Sequence, residues 1–203
     1  MQENIKKANE ILESVLTMLD SNEWLTQSES NDGIKIETHK YNNSDILCVK
    51  ANSIVNSQPE KLCDYLWTMK KDLVKYHDPA MTEFDIIYYS DDVKILRQVN
   101  KIVYPIKDRE IVYFVHKIYK NGGIWLVNFS INHENCPENN KYVRATLNFS
   151  IVGFVEEKEK EKEHRKTMVY TIIHMEPNGH IPSFIINMYY WKTAYYIKYW
   201  KSI

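Results

Sequence analysis

The last thirty residues of the chain most strongly limit what it can fold into. A turn at residues 176–179 precedes a predicted helix over 181–200, and Pro182 suits the first helical turn because the N–H that proline lacks has no partner there. Eight of these twenty residues are Phe, Tyr or Trp, and Lys192 and Lys198 carry the only charges. An ordinary surface helix keeps one broad polar face. This helix must bury most of its circumference or contact an apolar partner outside the protein, which points toward a lipid.

Composition excludes several classes of function. The formal net charge of −1 provides no basic field that would attract nucleic acid, and the fifteen tyrosines are more typical of the rim of a core or cavity. The three cysteines, Cys48, Cys63 and Cys136, are far apart and form no Cys-x-x-Cys motif. We therefore expect reduced thiols and no metal site.

The sequence carries no pattern of a targeting or membrane-spanning segment. The first nineteen residues predict a charged amphipathic helix without the apolar stretch of a signal peptide. The helix over 181–200 comes closest to the roughly 20 predominantly apolar residues of a membrane span, but Asn187, Lys192 and Lys198 interrupt it. We expect a cytoplasmic protein in which residues 1–203 form a single domain.

Hydrophobic periodicity predicts helices near both ends and strands between them. The apolar residues of 3–20 recur at helical spacing. Residues 57–60, Ser-Gln-Pro-Glu, predict the start of a helix that runs to about residue 70 with Ser57 as its N-cap, and a short helix follows over 71–76. Asn121-Gly122 marks a tight hairpin turn. The predicted strands lie near 34–40, 46–55, 83–90, 93–103, 109–119, 123–132, 141–155 and 167–175.

This order of elements predicts an α+β fold. The strands after residue 82 are expected to be antiparallel, because no helix is available to cross over between parallel strands. A long, curved sheet needs something laid across its concave face, and the C-terminal helix is the candidate. Apolar and polar residues alternate along 141–155, so Leu147 and Phe149 are predicted to point together into the interior.

Three passages give the chain a resemblance to the START domains, the steroidogenic-acute-regulatory-related lipid-transfer family. Residues 104–112, YPIKDREIV, are similar to the family's Pro-x-x-x-Arg-Asp-x-Val, and residues 142–145, YVRA, are similar to its Val-Ile-Arg-Ala strand. Residues 176–187, EPNGHIPSFIIN, are similar to Asp-Pro-x-Gly-x-Ile-Pro-x-Trp-Leu-x-Asn, which begins the family's lid helix. The resemblance covers nearly the whole chain and implies the helix-grip (START/Bet v 1-like) fold.

The resemblance implies a soluble, monomeric, non-enzymatic protein that needs no cofactor and holds one lipid between the sheet and the C-terminal helix. As in members that resemble the phosphatidylcholine transfer protein, we expect a phospholipid that is carried between membranes. Arg109 and Glu110 are expected to form a structural ion pair at the start of a strand. The residues that the resemblance places at the lipid are Leu96, Gln98, Asn100, Ile111, Tyr113, Val115, Leu147, Phe149, Ile185, Met188 and Tyr189.

The headgroup-binding groups known in the family are not present as such. An aromatic cage for choline, which acts through cation–π attraction, would fall at Gln98, Ile111 and Leu147. The acid–base pair of sterol-binding members would fall at Leu96 and Val115. The Arg that meets lipid phosphate falls near Val74, so Lys75 is the nearest base. The polar groups left for the oxygens of a ligand are Gln98, Asn100, Tyr113, and His174 or Asn128.

The resemblance also implies transient contact with a membrane surface. The lid helix and the loop before the Arg motif, here residues 102–107, are expected to gate the cavity. The aromatic residues of the lid are similar to an interfacial aromatic belt. Lys192, Lys198 and Lys201 can meet anionic headgroups.

Three alternatives stay open. The chain can be a sterol- or fatty-acid-binding protein, or a sensor that binds a lipid and then a protein partner, which an exposed apolar patch would favour. It can also be an enzyme of the helix-grip superfamily, such as a cyclase or a hydrolase-like member. That reading needs a convergent nucleophile or acid–base set, and the inward residues named above offer none.

Overall fold

The computed structural model describes residues 1–157, 165–187 and 196–203. The helices are α1 (Gln2–Leu19), α2 (Pro59–Trp67), α3 (Lys71–His77), α4 (helical at 183–187) and α5 (Ile197–Trp200). The strands are β1 (Leu25–Glu29), β2 (Lys35–Lys40), β3 (Leu47–Val55), β4 (Met81–Tyr89), β5 (Val93–Asn100), β6 (Arg109–Lys120), β7 (Gly123–Ser130), β8 (Val143–Arg144), β9 (Thr146–Glu156) and β10 (Thr167–Glu176).

The described strands form one sheet in the order β1-β2-β3-β10-β9-β7-β6-β5-β4, and its neighbours are antiparallel. The short strand β8 pairs with the start of β6 in parallel. The two-residue turn between β6 and β7 has positive φ at both Asn121 (52°) and Gly122 (73°), which matches the twist of an antiparallel hairpin. The predicted α+β fold with an antiparallel sheet is confirmed.

Three elements differ from those predicted from the sequence. β1 was not predicted, because its residues LTQSE include one apolar side chain and lie almost fully exposed at the sheet edge. The N-cap of α2 is Gln58 rather than Ser57, and Pro59 occupies the first helical position. The Ser57 hydroxyl is instead buried, with no hydrogen-bond partner among the described residues. The predicted strand 141–155 is divided into β8 and β9.

The sheet is covered on both faces. On its outer face, the buried side of α1 (Ala8, Leu12 and Val15) belongs to one apolar cluster with Phe114 and Phe129 of the sheet. On its inner face, residues of α2 share a second cluster with α4, α5 and the sheet. Both clusters exclude water over a wide area, and such burial contributes about 25 cal/mol per Å² of apolar surface.

A β-bulge in β9 separates two neighbouring apolar residues. Phe149 pairs with His174 and Leu147 pairs with Met175, so Asn148 is an extra residue without a partner in β10. A bulge shifts the alternation of side chains by one position. Leu147 therefore packs on the inner face, whereas Phe149 packs on the outer face with the α1 cluster. The prediction that both point the same way is wrong.

The outer face contains one close approach that only glycine permits. Gly153 pairs with Trp125 across β9 and β7, and a Cβ at Gly153 would lie 2.3 Å from Cζ3 of the indole. We expect Gly153→Ala to lower the free energy of unfolding by about 1–3 kcal/mol, the usual cost of overpacking. Urea denaturation measures it.

The control is the same substitution in a Trp125→Leu background, where the clash is relieved. The cost of Gly153→Ala should shrink there, giving a coupling energy in the double-mutant cycle. An equal cost in both backgrounds would contradict the role assigned to the indole.

Candidate functional site

The inner face of the sheet, with α2, α4 and α5, lines a cavity of about 420 Å³. Its wall is mainly apolar and is contributed by β3, β5, β6, β7, β9 and β10 and by residues of the helices. Apolar lining residues beyond those predicted include Leu66, Trp67, Leu126, Val152 and Ile186. The volume falls within the roughly 300–1,000 Å³ of small-molecule sites.

The structure brings most of the predicted site residues together at this cavity. Phe149 is the exception, because the bulge at Asn148 turns it toward α1. Met188 and Tyr189 lie outside the described residues, as do Lys192 and four of the eight aromatic residues of the predicted lid, Tyr189 among them. The predicted residues that line the cavity are Leu96, Gln98, Asn100, Ile111, Tyr113, Val115, Leu147 and Ile185.

Four polar side chains form a hydrogen-bonded cluster in the cavity wall. Asp78, at the C-terminal end of α3, accepts hydrogen bonds at Oδ2 from Asn100 Nδ2 (2.7 Å) and Gln98 Nε2 (3.3 Å). Gln98 Nε2 also donates to Asn100 Oδ1 (2.7 Å), and the Tyr113 hydroxyl donates to Gln98 Oε1 (3.3 Å). Burial raises the pKa of Tyr113, so the phenol stays a donor. The cluster offers a carboxylate and amide groups to a ligand.

Sequence reasoning found three members of this cluster and missed Asp78. In the family that the chain resembles, Trp-Asp often follows the second pair of helices, and this chain has His77-Asp78 at that place. Because the carboxylate follows a short helix, no strand alternation marks it as facing inward. Its position next to that family motif was the available sign.

Lys94 brings a positive charge into the cavity wall, and it was also missed. Its residue is 6% exposed, and its Nζ donates to the carbonyl of Trp67, the last residue of α2. Nζ also lies 4.3 Å from the centre of the Trp67 ring and 4.9 Å from that of Tyr89. Burial lowers the pKa of Lys94 to about 8, and the charge of Lys117 acts in the same direction. The strand alternation that places Leu96 inward also applied to Lys94.

The side chain of Arg109 joins the start of β6 to the turn before α4. Its Nε donates to the carbonyl of Pro177 (2.7 Å), its Nη2 to that of Asn178 (2.8 Å) and its Nη1 to that of Lys107. Asn178 and Gly179 both have positive φ, and a Cβ at Gly179 would lie 3.1 Å from Nη2. Arg109 therefore holds the turn and the end of the loop at residues 102–107, the mouth loop, in one arrangement.

Glu110 does not pair with Arg109, and the prediction of an ion pair between them is wrong. Neighbouring residues of a strand point to opposite faces. Glu110 is buried, and its carboxylate accepts hydrogen bonds from Arg97 Nε (2.5 Å) and Arg144 Nη2 (2.8 Å). Arg97 also bonds Glu83 and Asp85 of β4. Glu110 thus ties β4, β5, β6 and β8 together through charge-assisted hydrogen bonds.

The other polar residues predicted to contact the ligand do not all lie on the cavity face of the sheet. Asn128 lines the cavity, with its Nδ2 donating to the carbonyl of Ser150 (2.9 Å). His174 lies on the other face, where its ring nitrogens contact Asn148 Nδ2 (3.0 Å) and the carbonyl of Ile46 (3.2 Å). Lys75 is exposed and does not line the cavity. His174 is the cross-strand partner of Phe149, and paired residues of neighbouring strands lie on the same face of the sheet.

The mouth loop combines residues that line the cavity with residues that face solvent. Ile102 and Ile106 line the cavity, whereas Val103 is 74% and Tyr104 is 92% exposed. In α4, Ile185 lines the cavity and Phe184 is 70% exposed. Apolar side chains therefore stand in solvent beside the cavity on both elements.

The described parts of the C-terminal segment are fixed to the rest of the fold. Asn187 Oδ1 accepts a hydrogen bond from the backbone N–H of Leu47 (2.9 Å). Near the end of the chain, the Tyr199 ring stacks on His77 with centroids 4.9 Å apart. Ile197 and Trp200 of α5 are buried in the inner cluster.

The buried ammonium of Lys94 predicts a pH-dependent stability. Its pKa in the folded protein, about 8, lies below the ordinary lysine value of about 10.4, so the unfolded chain binds more protons between these values. The free energy of unfolding of the wild type, relative to Lys94→Met, should therefore rise as the pH increases from 8 to about 10. Thermal unfolding of both proteins across pH 7–10 measures it.

Lys6→Met is the matched control for charge removal, because the Lys6 side chain is 81% exposed. Its stability difference from the wild type should stay flat over the same range. A flat difference for Lys94→Met as well would show that the ammonium is not disfavoured by burial.

Comparisons with known proteins agree with this architecture. A family model described as START domain matches residues 7–202. The ceramide transfer proteins of Homo sapiens and Cricetulus griseus are 28% identical over 100 residues, a stretch that covers 45% of this chain and only 16% of the length of those proteins.

Solved structures show the same fold at low sequence identity. Human StAR-related lipid transfer protein 5 has a TM-score of 0.80 at 18% identity, and the match covers 98% of this chain and 95% of that one. Human STARD10 has a TM-score of 0.72 at 15% identity, covering 92% and 78%. Because the family model matches almost the full length of this chain, the chain belongs to the START domain family.

Proposed function

We propose that this chain binds one lipid in its cavity and carries it between membranes. The observation that carries the proposal is a mainly apolar cavity with a small polar cluster in its wall. A lipid with about 16 buried methylene groups gains roughly 0.8 kcal/mol for each of them, which is ample for tight binding. The polar side chains of the cluster bond one another and form a recognition surface, so the proposed role is binding and not catalysis.

The ligand that we propose first is a phospholipid. Asp78 and the amide groups of Gln98 and Asn100 suit the ammonium or hydroxyl groups of a headgroup, because a carboxylate accepts hydrogen bonds from both. An apolar wall around them accommodates the acyl chains. This mode of binding needs no aromatic cage. That agrees with the absence of aromatic side chains at the three cage positions, Gln98, Ile111 and Leu147.

A second candidate is a ceramide-like lipid. Four relatives of this chain are named ceramide transfer protein, although the match covers less than half of this chain. The hydroxyl and amide N–H groups of such a lipid are donors that the carboxylate of Asp78 can accept. Direct comparison of the two lipid classes in one assay separates the candidates.

Filling the cavity should abolish binding. We expect Leu147→Trp to lower the transfer of a fluorescent phospholipid, and of a fluorescent ceramide, between vesicles by about tenfold or more, because the indole occupies space in the cavity that the lipid needs. The matched control, Ile86→Trp, adds the same side chain on β4 at a position that is 50% exposed, and it should transfer like the wild type.

Mass spectrometry of lipids that co-purify with the wild type decides the class. Phospholipids would support the first candidate and ceramide the second. A single sterol would show that the role given to the polar cluster is wrong. A wild type that neither binds nor transfers any lipid would overturn the proposal.

We also propose that the rim of the cavity docks on the membrane. Val103 and Tyr104 of the mouth loop and Phe184 of α4 are exposed beside residues that line the cavity. Exposed aromatic residues favour the interfacial region of a bilayer. Within the described residues, no helix is long and apolar enough to span a membrane.

Removing the exposed aromatic residues should slow exchange without emptying the cavity. We expect Tyr104→Ala/Phe184→Ala to reduce vesicle binding and the transfer rate by about tenfold or more. Full burial of one aromatic ring contributes about 1.5–3 kcal/mol, and about 1.4 kcal/mol corresponds to a factor of ten. The amount of lipid that co-purifies should stay unchanged. Flotation with vesicles and stopped-flow transfer measure these quantities.

Tyr119→Ala is the control, because Tyr119 is 69% exposed but lies at the hairpin between β6 and β7. It should bind vesicles like the wild type. Equal losses in both variants would argue against docking through the rim.

A further inference from the structure

Lys94 is a buried cation with no carboxylate partner among the described residues. The contacts of its Nζ are the carbonyl of Trp67 and the faces of the Trp67 and Tyr89 rings. The second cation nearby, Lys117, lies with its Nζ 4.7 Å from the centre of the same Trp67 ring. The environment of Lys94 therefore holds two positive charges and lacks a described anion.

The wall around Lys94 makes this arrangement costly. The cross-strand partner of Lys94 is Val115 of β6, and Leu96 and Leu126 line the same cavity. A buried ammonium is strongly disfavoured unless an opposite charge or several hydrogen bonds compensate it. An ammonium has three N–H donors. The one carbonyl and two rings around Lys94 therefore use only part of its hydrogen-bonding capacity.

We propose that Lys94 binds an oxyanion, a carboxylate or a phosphate, of the lipid that occupies the cavity. This inference rests on the proposed function and narrows it to acidic amphiphiles. For a phospholipid it replaces the placement of the headgroup at Asp78, because the phosphate and the headgroup are joined by a few bonds and would lie together at Lys94. A ligand oxyanion would supply both the missing counter-charge and acceptors for the free N–H groups. Charge-assisted hydrogen bonds of this kind are stronger than neutral ones.

The position of Lys94 also gives the lipid a direction. Lys94 lies four residues from Gln98 along β5, a separation of about 13 Å at the usual rise of a strand. The cavity thus presents a cation at the end near Trp67 and a carboxylate, Asp78, in the cluster near Asn100. An oxyanion is attracted to the first position and repelled from the second, so the anionic group should lie at the Trp67 end.

The test compares acids with their neutral counterparts on delipidated full-length protein. The probes are oleate against methyl oleate, and monooleoyl lysophosphatidate against monoolein, with inorganic phosphate as a third arm. The proteins are the wild type, Lys94→Met, Lys94→Arg and Lys117→Met. Lys117→Met removes a charge beside the same indole, but Lys117 does not line the cavity.

The wild type should bind at least one acid about tenfold or more tightly than its neutral counterpart, the effect of one charge-assisted hydrogen bond. Lys94→Met should lose this preference, keep its affinity for the neutral lipid and unfold at an unchanged or higher temperature. Lys94→Arg should retain part of the preference, and Lys117→Met should retain it fully.

The outcomes separate the two proposals. If the wild type binds acid and neutral lipid equally, or if Lys94→Met keeps the preference, Lys94 only caps α2 and the inference fails while the lipid cavity stands. If the wild type binds neither form, the proposed function fails. Preference for oleate alone or lysophosphatidate alone identifies the oxyanion, and competition by inorganic phosphate without a lipid preference would contradict recognition of a lipid anion.

Discussion

The structure depends on two adjacent residues at the start of β6. Arg109 points inward, where its guanidinium donates hydrogen bonds to carbonyl groups of the mouth loop and of the turn before α4. Glu110 points outward, where its carboxylate joins Arg97 and Arg144. Because alternation along one strand separates them, the two charges serve different purposes. One positions the entrance of the cavity, and the other holds four strands in register.

The cavity is not simply apolar, since it has two polar positions of opposite charge. Asp78 is satisfied by the amides of Gln98 and Asn100, whereas the described contacts of Lys94 include no acid. An internal site with both signs can distinguish the two ends of an amphiphile. Apolar burial then provides most of the affinity, and the two charges provide orientation and selection.

Element order and most of the inward-facing residues could be predicted from the sequence, because periodicity and turn residues are local properties. Of the eight predicted residues that line the cavity, six on β5 and β6 were found by extending strand alternation from the Arg motif. Leu147 was found from the alternation within its own strand, and Ile185 from its place in the predicted lid helix. The method failed at Asn148, because one inserted residue reverses the alternation and nothing in the local pattern marks it. It failed at the pairing of Glu110 and at Asp78, because those contacts join segments that are far apart in the chain. β1 was missed because an exposed edge strand carries no burial pattern.

The order of the strands has a consequence for how the chain assembles. β3 pairs with β10, and Val55 of β3 has as its partner Thr167, which follows it in the chain by 112 residues. Until that strand is synthesised, the nascent chain exposes an unpaired, largely apolar edge that can join another chain. The first helix, α1, likewise finds its apolar surface only when β6 and β7 exist. Sheets closed by such distant pairs form slowly. β10 therefore has to be present before β3 and β9 can be joined into one sheet.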